Sequence, residues 1–302
     1  MRRYRLLTAT VLSLLLVLAT LVVSPVFAQP TFTGNAPVDF TQPDTVIIAD
    51  PGGVDDVGLP IQAPLGTVSG WDVVALYFDY DHTTDIMYIG VDTFGICGDV
   101  DGDGNPGGTS AWLAGVGGVD FPNLSGTESF TLLIDTDGDY VSGSGGSGIE
   151  VVVGVDDIND ITAFGTYNFV GNPFAPQAGF GAVLPNTTAL FANPSAAAPD
   201  MEFTIANFST LPDFTFTPGQ AFTFWINLFM GSFQDDGVGE EYLPLAGVTV
   251  AVNIPPQAVQ PPDSEPGLVP EASTLILLGS GLAGLGAYAR LRWRGRKRRS
   301  RP

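Results

Sequence analysis

The stretch that decides the fold is WDVVALYFDYDHTTDIMYIGVD, residues 71–92. Apolar residues alternate along it. Val74, Leu76, Phe78 and Tyr80 fall on one face, and Val73, Ala75 and Tyr77 on the other. A period of two is that of an extended strand, whose successive side chains point to opposite faces of a sheet. Asp81-His82-Thr83-Thr84-Asp85 then supplies turn-forming residues, and Ile86–Asp92 returns as a second strand. The segment reads as an antiparallel hairpin.

Working outward, further strands are expected at Ser129–Ile134, Ile149–Val155, Thr162–Val170, Met201–Ile205, Ala221–Phe229 and Gly247–Val252. Ala189–Ala198 is the only segment with a weak helical pattern. The chain has 38 Gly and 24 Pro among 302 residues, which favours many turns and few helices. Short strands joined by Gly, Asp and Pro turns predict an all-β fold, a jelly-roll-like antiparallel β-sandwich spanning 29–252. Hydrophobic residues make up 45 %, with 20 Phe, so the body has the apolar surface that disordered chains lack. Trp71, Trp112 and Trp225 are expected in the core, with Trp112 the better candidate for exposure as a sugar-stacking ring. Cys97 is the only cysteine. No internal disulfide can form, and a buried, inert thiol is expected.

The charges are segregated. All 11 basic residues lie in residues 2–5 and 290–301, and the formal net charge is −21. Residues 6–289 hold no Lys or Arg, and one histidine, His82. Nucleic-acid binding is excluded for this body, because phosphates need basic partners. A surface this acidic attracts soluble cations. Nucleophile systems usually pair Ser or Cys with a His or Lys base. Here the one His lies in a turn between Asp81 and Asp85, so no catalytic residues are expected.

Acidic loops carry the strongest chemical signal. Asp99-Val-Asp101-Gly-Asp103-Gly104-Asn105 places carboxylates at alternating positions, followed by a glycine that permits a sharp turn. Calcium takes six to eight oxygens, and such spacing curls around one ion. The run matches the start of an EF-hand-type loop, with Asn105 offering its backbone carbonyl. Ser110 stands where that loop has its bidentate Glu, so an acid from elsewhere must complete the site. Asp135, Asp137 and Asp139 repeat the spacing. For both runs the alternative is a solvated acidic turn. A third cluster, Asp235, Asp236, Glu240 and Glu241, either completes a metal site or faces water.

Residues 1–28 have the three parts of a secretory signal: Arg2, Arg3 and Arg5, then apolar Leu6–Val23, then Val26-Phe27-Ala28. Signal peptidase is expected to cut after Ala28. At the other end, residues 253–274 form a Pro-rich extended linker, with six Pro in 22 residues. Leu275–Ala289 is a short apolar helix, expected to cross the membrane transiently. Residues 290–302 are a basic tail, which the positive-inside rule places in the cytoplasm.

Val269-Pro270-Glu271-Ala272-Ser273-Thr274, the apolar run and the Arg cluster together resemble the PEP-CTERM sorting signal, with Ala272 where its V-P-E-P-S-T motif has Pro. The resemblance implies an exported protein of an exopolysaccharide-producing, Gram-negative-type bacterium. It also implies cleavage near Pro270–Glu271 by an exosortase, a membrane transpeptidase. Trp71-Asp72, the hairpin, Leu132–Asp137 and Met201–Ile205 resemble DOMON-like and xylan- or cellulose-binding modules of bacterial surface proteins. That resemblance implies a ligand-binding or structural sandwich. The expected role is a calcium-stabilised, non-enzymatic surface or matrix protein associated with exopolysaccharide. The alternatives are a secreted glycan-active enzyme and a purely structural surface-layer or adhesion subunit.

Overall fold

The computed structural model describes residues 29–52, 69–99, 101–105, 111–115, 129–140, 148–156, 161–172, 178–186, 188–191, 194–216, 220–231 and 240–250. The signal segment with Ala28, the linker 253–274 with the motif Val269–Thr274, the helix 275–289, the tail 290–302 and the side chain of Trp112 lie outside them. Among the described residues no helix is long and apolar enough to cross a membrane.

Eleven strands are described: β1 (Val46–Ala49), β2 (Val73–Asp81), β3 (Ile86–Thr93), β4 (Ser129–Asp135), β5 (Val151–Val155), β6 (Gly165–Phe169), β7 (Phe180–Val183), β8 (Thr188–Phe191), β9 (Met201–Ala206), β10 (Phe222–Gly231) and β11 (Glu240–Val250). They form two antiparallel sheets, ordered β1-β2-β3-β9-β8 and β11-β10-β4-β5-β6-β7. The inner faces meet in one core. Phe78 meets Phe224 edge-on at 5.8 Å between ring centroids, and Phe130 meets Phe203 at 5.8 Å. Each such ring, fully buried, contributes roughly 1.5–3 kcal/mol of apolar burial.

The connectivity corrects the jelly-roll expectation. β1–β3 and β4–β7 are meanders, each within one sheet, and the chain changes sheets only after β3, β7 and β9. Within each meander a strand pairs with the next one in the chain, as consecutive strands commonly do. The hairpin itself stands at β2–β3, with Phe78 opposite Ile89. A bulge between Val73 and Ala75 changes its faces: Val73 joins Leu76, Phe78 and Tyr80 inside, whereas Val74 packs outside with Ala75 and Tyr77. One extra residue reverses the alternation upstream of it.

Other expectations shift locally. Residues 189–191, the start of the segment with the weak helical pattern, belong instead to β8, an edge strand paired with β9. Strand hydrogen bonds from a neighbour outweigh a weak helical pattern. Residues 161–163 form a 3-10 turn ahead of β6. β11 begins at Glu240, seven residues before the expected start, so Glu240 and Glu241 belong to a strand, and Glu241 is buried. Trp71 is in the core as expected. Trp225 is not. Along β10, Phe222, Phe224, Ile226, Leu228 and Met230 face inward, which turns Trp225 to the outer face, half-buried. Cys97 is buried, and burial pushes its thiol up to about 12, with Asp200 adding to the shift.

An N-terminal segment closes the outer face of the first sheet. Ala36–Asp39 forms one helical turn. Ala36 and Phe40 pack on Ala75 and Tyr77 there. Gly90 makes room, since a Cβ on it would lie 2.7 Å from the Phe40 ring and 2.8 Å from the Ala36 Cβ.

Candidate metal centres

Asp135 is the last residue of β4, and its buried carboxylate anchors the following turn. One oxygen accepts the Gly138 N–H at 2.6 Å and the other the Tyr140 N–H at 3.3 Å. Asp137 accepts the Asp139 N–H at 3.2 Å. These bonds curl the alternating carboxylates back on themselves, and Gly138 takes the left-handed conformation (φ 80°) that the curl requires.

The hairpin partner adds a fourth carboxylate that sequence reading missed. β4 and β5 pair with Ile134 opposite Val151, and the next position outward sets Glu150 opposite Asp135. Its side chain accepts the Thr136 N–H at 2.8 Å. Carboxylate oxygens of Asp135, Asp137, Asp139 and Glu150 lie within 4.8 Å of one another. Oxygens sharing one calcium at 2.3–2.6 Å can be at most roughly 5 Å apart, so the group fits a single ion. Gly148 lets the chain close over it, because a Cβ there would lie 2.4 Å from the Asp139 Oδ1. The available signal was a Glu directly before the Val-rich run 151–153, eleven residues after Asp139.

The second group is Asp99, Asp101 and Asp103, whose carboxylates also converge within 4.8 Å. Asp99 accepts Asp103 N–H at 3.1 Å and Gly104 N–H at 2.7 Å. Asp103 accepts the Asn105 N–H at 2.8 Å. Asp99 and Asp101 are buried, while Asp103 and Asn105 are exposed. Among the described residues no fourth acid joins this group. The chain's local spacing was therefore a better guide to the Asp99 turn, but the strand pairing builds the fuller set at Asp135.

Burial makes Asp99, Asp135 and Glu150 resist ionisation. Burial, the largest cause, raises Asp99 to about 6, against the opposing pull of the Gly104 N–H. Burial likewise raises Asp135 and Glu150, countered by N–H groups of their turn. A bound divalent cation reverses that balance by favouring the charged carboxylates. The two groups sit at opposite ends of the sandwich. Asp99 adjoins the start of β2 through its carbonyl, which accepts Gly70 N–H. Thr136 donates its hydroxyl to Pro212, near the β2–β3 turn, where Asp85 accepts Ser209.

A different set of acids, not singled out from sequence, holds the N-terminal segment. Glu202 accepts Gly34 N–H at 2.6 Å, and Asp200 accepts Ala36 N–H at 2.8 Å. Burial raises Asp200 to about 7 and Glu202 to about 8, with neighbouring acids adding to both. These groups face backbone amides and serve as structural anchors.

Residues 268–297 match the PEP-CTERM protein-sorting motif. Comparison with curated proteins and with solved structures finds no match. The matched segment contains the six-residue motif 269–274, the apolar run and most of the basic tail. The C-terminal segment is thus a PEP-CTERM sorting signal, which directs the protein out to the cell surface and implies processing by an exosortase.

Proposed function

We propose that the protein is a calcium-stabilised, non-enzymatic component of the cell surface or extracellular matrix that associates with exopolysaccharide. The observation that carries this is the conjunction of an export-and-sorting signal with a β-sandwich that converges four carboxylates on one point in a chain with no Lys or Arg between residues 6 and 289. The counter-charge for that cluster has to come from solution. Asp135, Asp137, Asp139 and Glu150 would hold one calcium ion, and Asp99, Asp101 and Asp103 a second, with Asn105 at the end of that loop. The ion would supply charge neutralisation, tie the end of β4 to the residue that precedes β5, and at the second group close the Asp99–Asp103 turn on itself. Such sites stand in for the disulfides that a single cysteine cannot make. In the same proposal, signal peptidase removes residues 1–28, and Leu275–Ala289 holds the chain in the membrane until an exosortase acts.

The test is retention of the exported protein on the host's own exopolysaccharide, with calcium and with chelator, beside an assay for released sugar. Calcium-dependent retention without sugar release is the expected result. Sugar release would favour a glycan-active enzyme. No retention under either condition would leave a structural surface subunit.

A further inference from the structure

We infer that the cleft beside Trp225 is the glycan-binding site, and that it takes a neutral pyranose unit of a polysaccharide chain. The inference rests on the glycan-associated role proposed above and gives it a location. The indole occupies an unusual setting for the outer face of a sheet. Its cross-strand neighbour on β11 is Gly247, and the turn that flanks it on the β4 side presents Gly138. A Cβ on Gly138 would lie 2.4 Å from Cζ3 of the indole, and one on Gly247 would lie 3.4 Å from its Nε1. The ring therefore lies across β10, its six-membered ring over Gly138 and its pyrrole edge beside Gly247. Two positions without side chains make this possible and leave the ring half-exposed.

A cleft of about 380 Å³ opens next to it, lined by Trp225, Phe214, Phe216, Asp137, Gln220 and Thr223 among others. That volume lies in the range of small-molecule sites, roughly 300–1,000 Å³. The lining decides the ligand class. Aromatic faces offer an apolar platform with a negative quadrupole, suited to the C–H face of a sugar ring. The Gln220 amide can both donate and accept, and the Thr223 hydroxyl, paired with the Thr249 hydroxyl at 2.9 Å, keeps a lone pair to offer, which matches sugar hydroxyls. With no Lys or Arg in residues 6–289, no basic side chain is there to hold an anionic ligand. Asp137 is the one carboxylate in the lining, and one of its oxygens lies within 4.8 Å of carboxylate oxygens of Asp135, Asp139 and Glu150. What remains in the cleft is uncharged, polar and aromatic.

The test is calorimetric titration of the exported protein with neutral cello-, xylo- and manno-oligosaccharides, and separately with tetramethylammonium. At least one saccharide is expected to bind. Trp225→Ala should weaken that binding at least roughly tenfold, as truncation of an aromatic hot spot does, while Trp225→Phe should retain part of it. Thr223→Leu, which fills the cleft from a half-buried outer position and gives up only an exposed hydrogen bond to Thr249, should weaken binding with little change in melting temperature. It decides the matter if Trp225→Ala fails to fold. A saccharide bound equally well by wild type, Trp225→Ala and Thr223→Leu would overturn the location and leave the glycan role standing. Binding of no neutral saccharide would overturn the cleft's assignment to a neutral pyranose, while retention on the host exopolysaccharide decides the glycan role by itself. Tetramethylammonium binding that Trp225→Ala abolishes, without saccharide binding, would replace the ligand class with a cation.

Discussion

Glu150 shows how one residue changes a chemical reading. Three aspartates in a turn are ordinary surface chemistry, whereas a fourth carboxylate from the next strand makes a closed set. Replacing Glu150 by Gln keeps the shape and the acceptor for Thr136 N–H but removes one charge. Stabilisation by an ion that binds only the folded chain is RT ln(1 + [L]/Kd), about 2.7 kcal/mol at a hundredfold excess over Kd. Glu150→Gln and Asp101→Ala should each remove about half of the calcium-induced rise in melting temperature, and the double variant nearly all of it. Thermal unfolding with calcium and with chelator checks this. A full calcium response in the double variant would discard both sites. Gly138 is the companion case. Its φ of 80° and the indole 2.4 Å from a would-be Cβ mean that Gly138→Ala should destabilise the fold by about 1–3 kcal/mol, the usual cost of overpacking. Chemical denaturation of the two proteins measures the difference.

Among the elements, the N-terminal segment is the one most simply detached. It adds no strand. It is held by Phe40 and Ala36 over Gly90 and by backbone N–H groups on Glu202 and Asp200. Gly90→Val would place side-chain atoms where Phe40 already lies. We expect faster hydrogen exchange at residues 33–40 in that variant, with β4 and β10 unaffected, because those strands belong to the other sheet. Uniform protection across 33–40 in Gly90→Val would show that the segment is anchored by its hydrogen bonds alone.

At the scale of the whole molecule, the acidic balance sets the response to pH. Burial, first among the causes in each case, holds Asp79 and Asp200 at about 7, Asp92 at about 6 and Glu202 at about 8. All are raised above their unfolded values near 4, so the folded chain binds more protons than the unfolded one between those limits. The stability they contribute is full below about pH 4 and is lost as pH rises through 6 to 8. Each group costs up to about 1.4 kcal/mol per pH unit in that window. In chelator, the melting temperature should therefore rise from pH 8 to pH 5. Calcium opposes this, because protons compete for its ligands. The gap between calcium and chelator curves should narrow on acidification. A gap that stays constant from pH 8 to pH 5 would mean that calcium acts by general screening. The sorting signal makes a separate prediction: the intact mass of the exported form should lack residues from about 270 to 302, and a retained Arg-rich tail would refute cleavage there.

The sequence by itself determined what depends on near neighbours. Alternation in residues 74–80 is visible locally, because a strand repeats every two residues whatever it pairs with. The Asp-x-Asp-x-Asp turns are visible for the same reason, and so is the sorting signal, which is a linear motif. The absence of Lys and Arg from residues 6–289 argues against nucleic-acid binding with no structure at all. Tertiary structure decided everything that joins distant residues. Pairing of β4 with β5 brought Glu150 to Asp135, and the bulge in β2 exchanged the faces of Val73 and Val74. Inward-facing Phe224 and Ile226 turned Trp225 outward, in a strand apolar on both faces whose composition could not say which side was the core. β8 became a strand through its partner β9. Register and facing are properties of pairs of segments, and pairing energy is absent from any single segment.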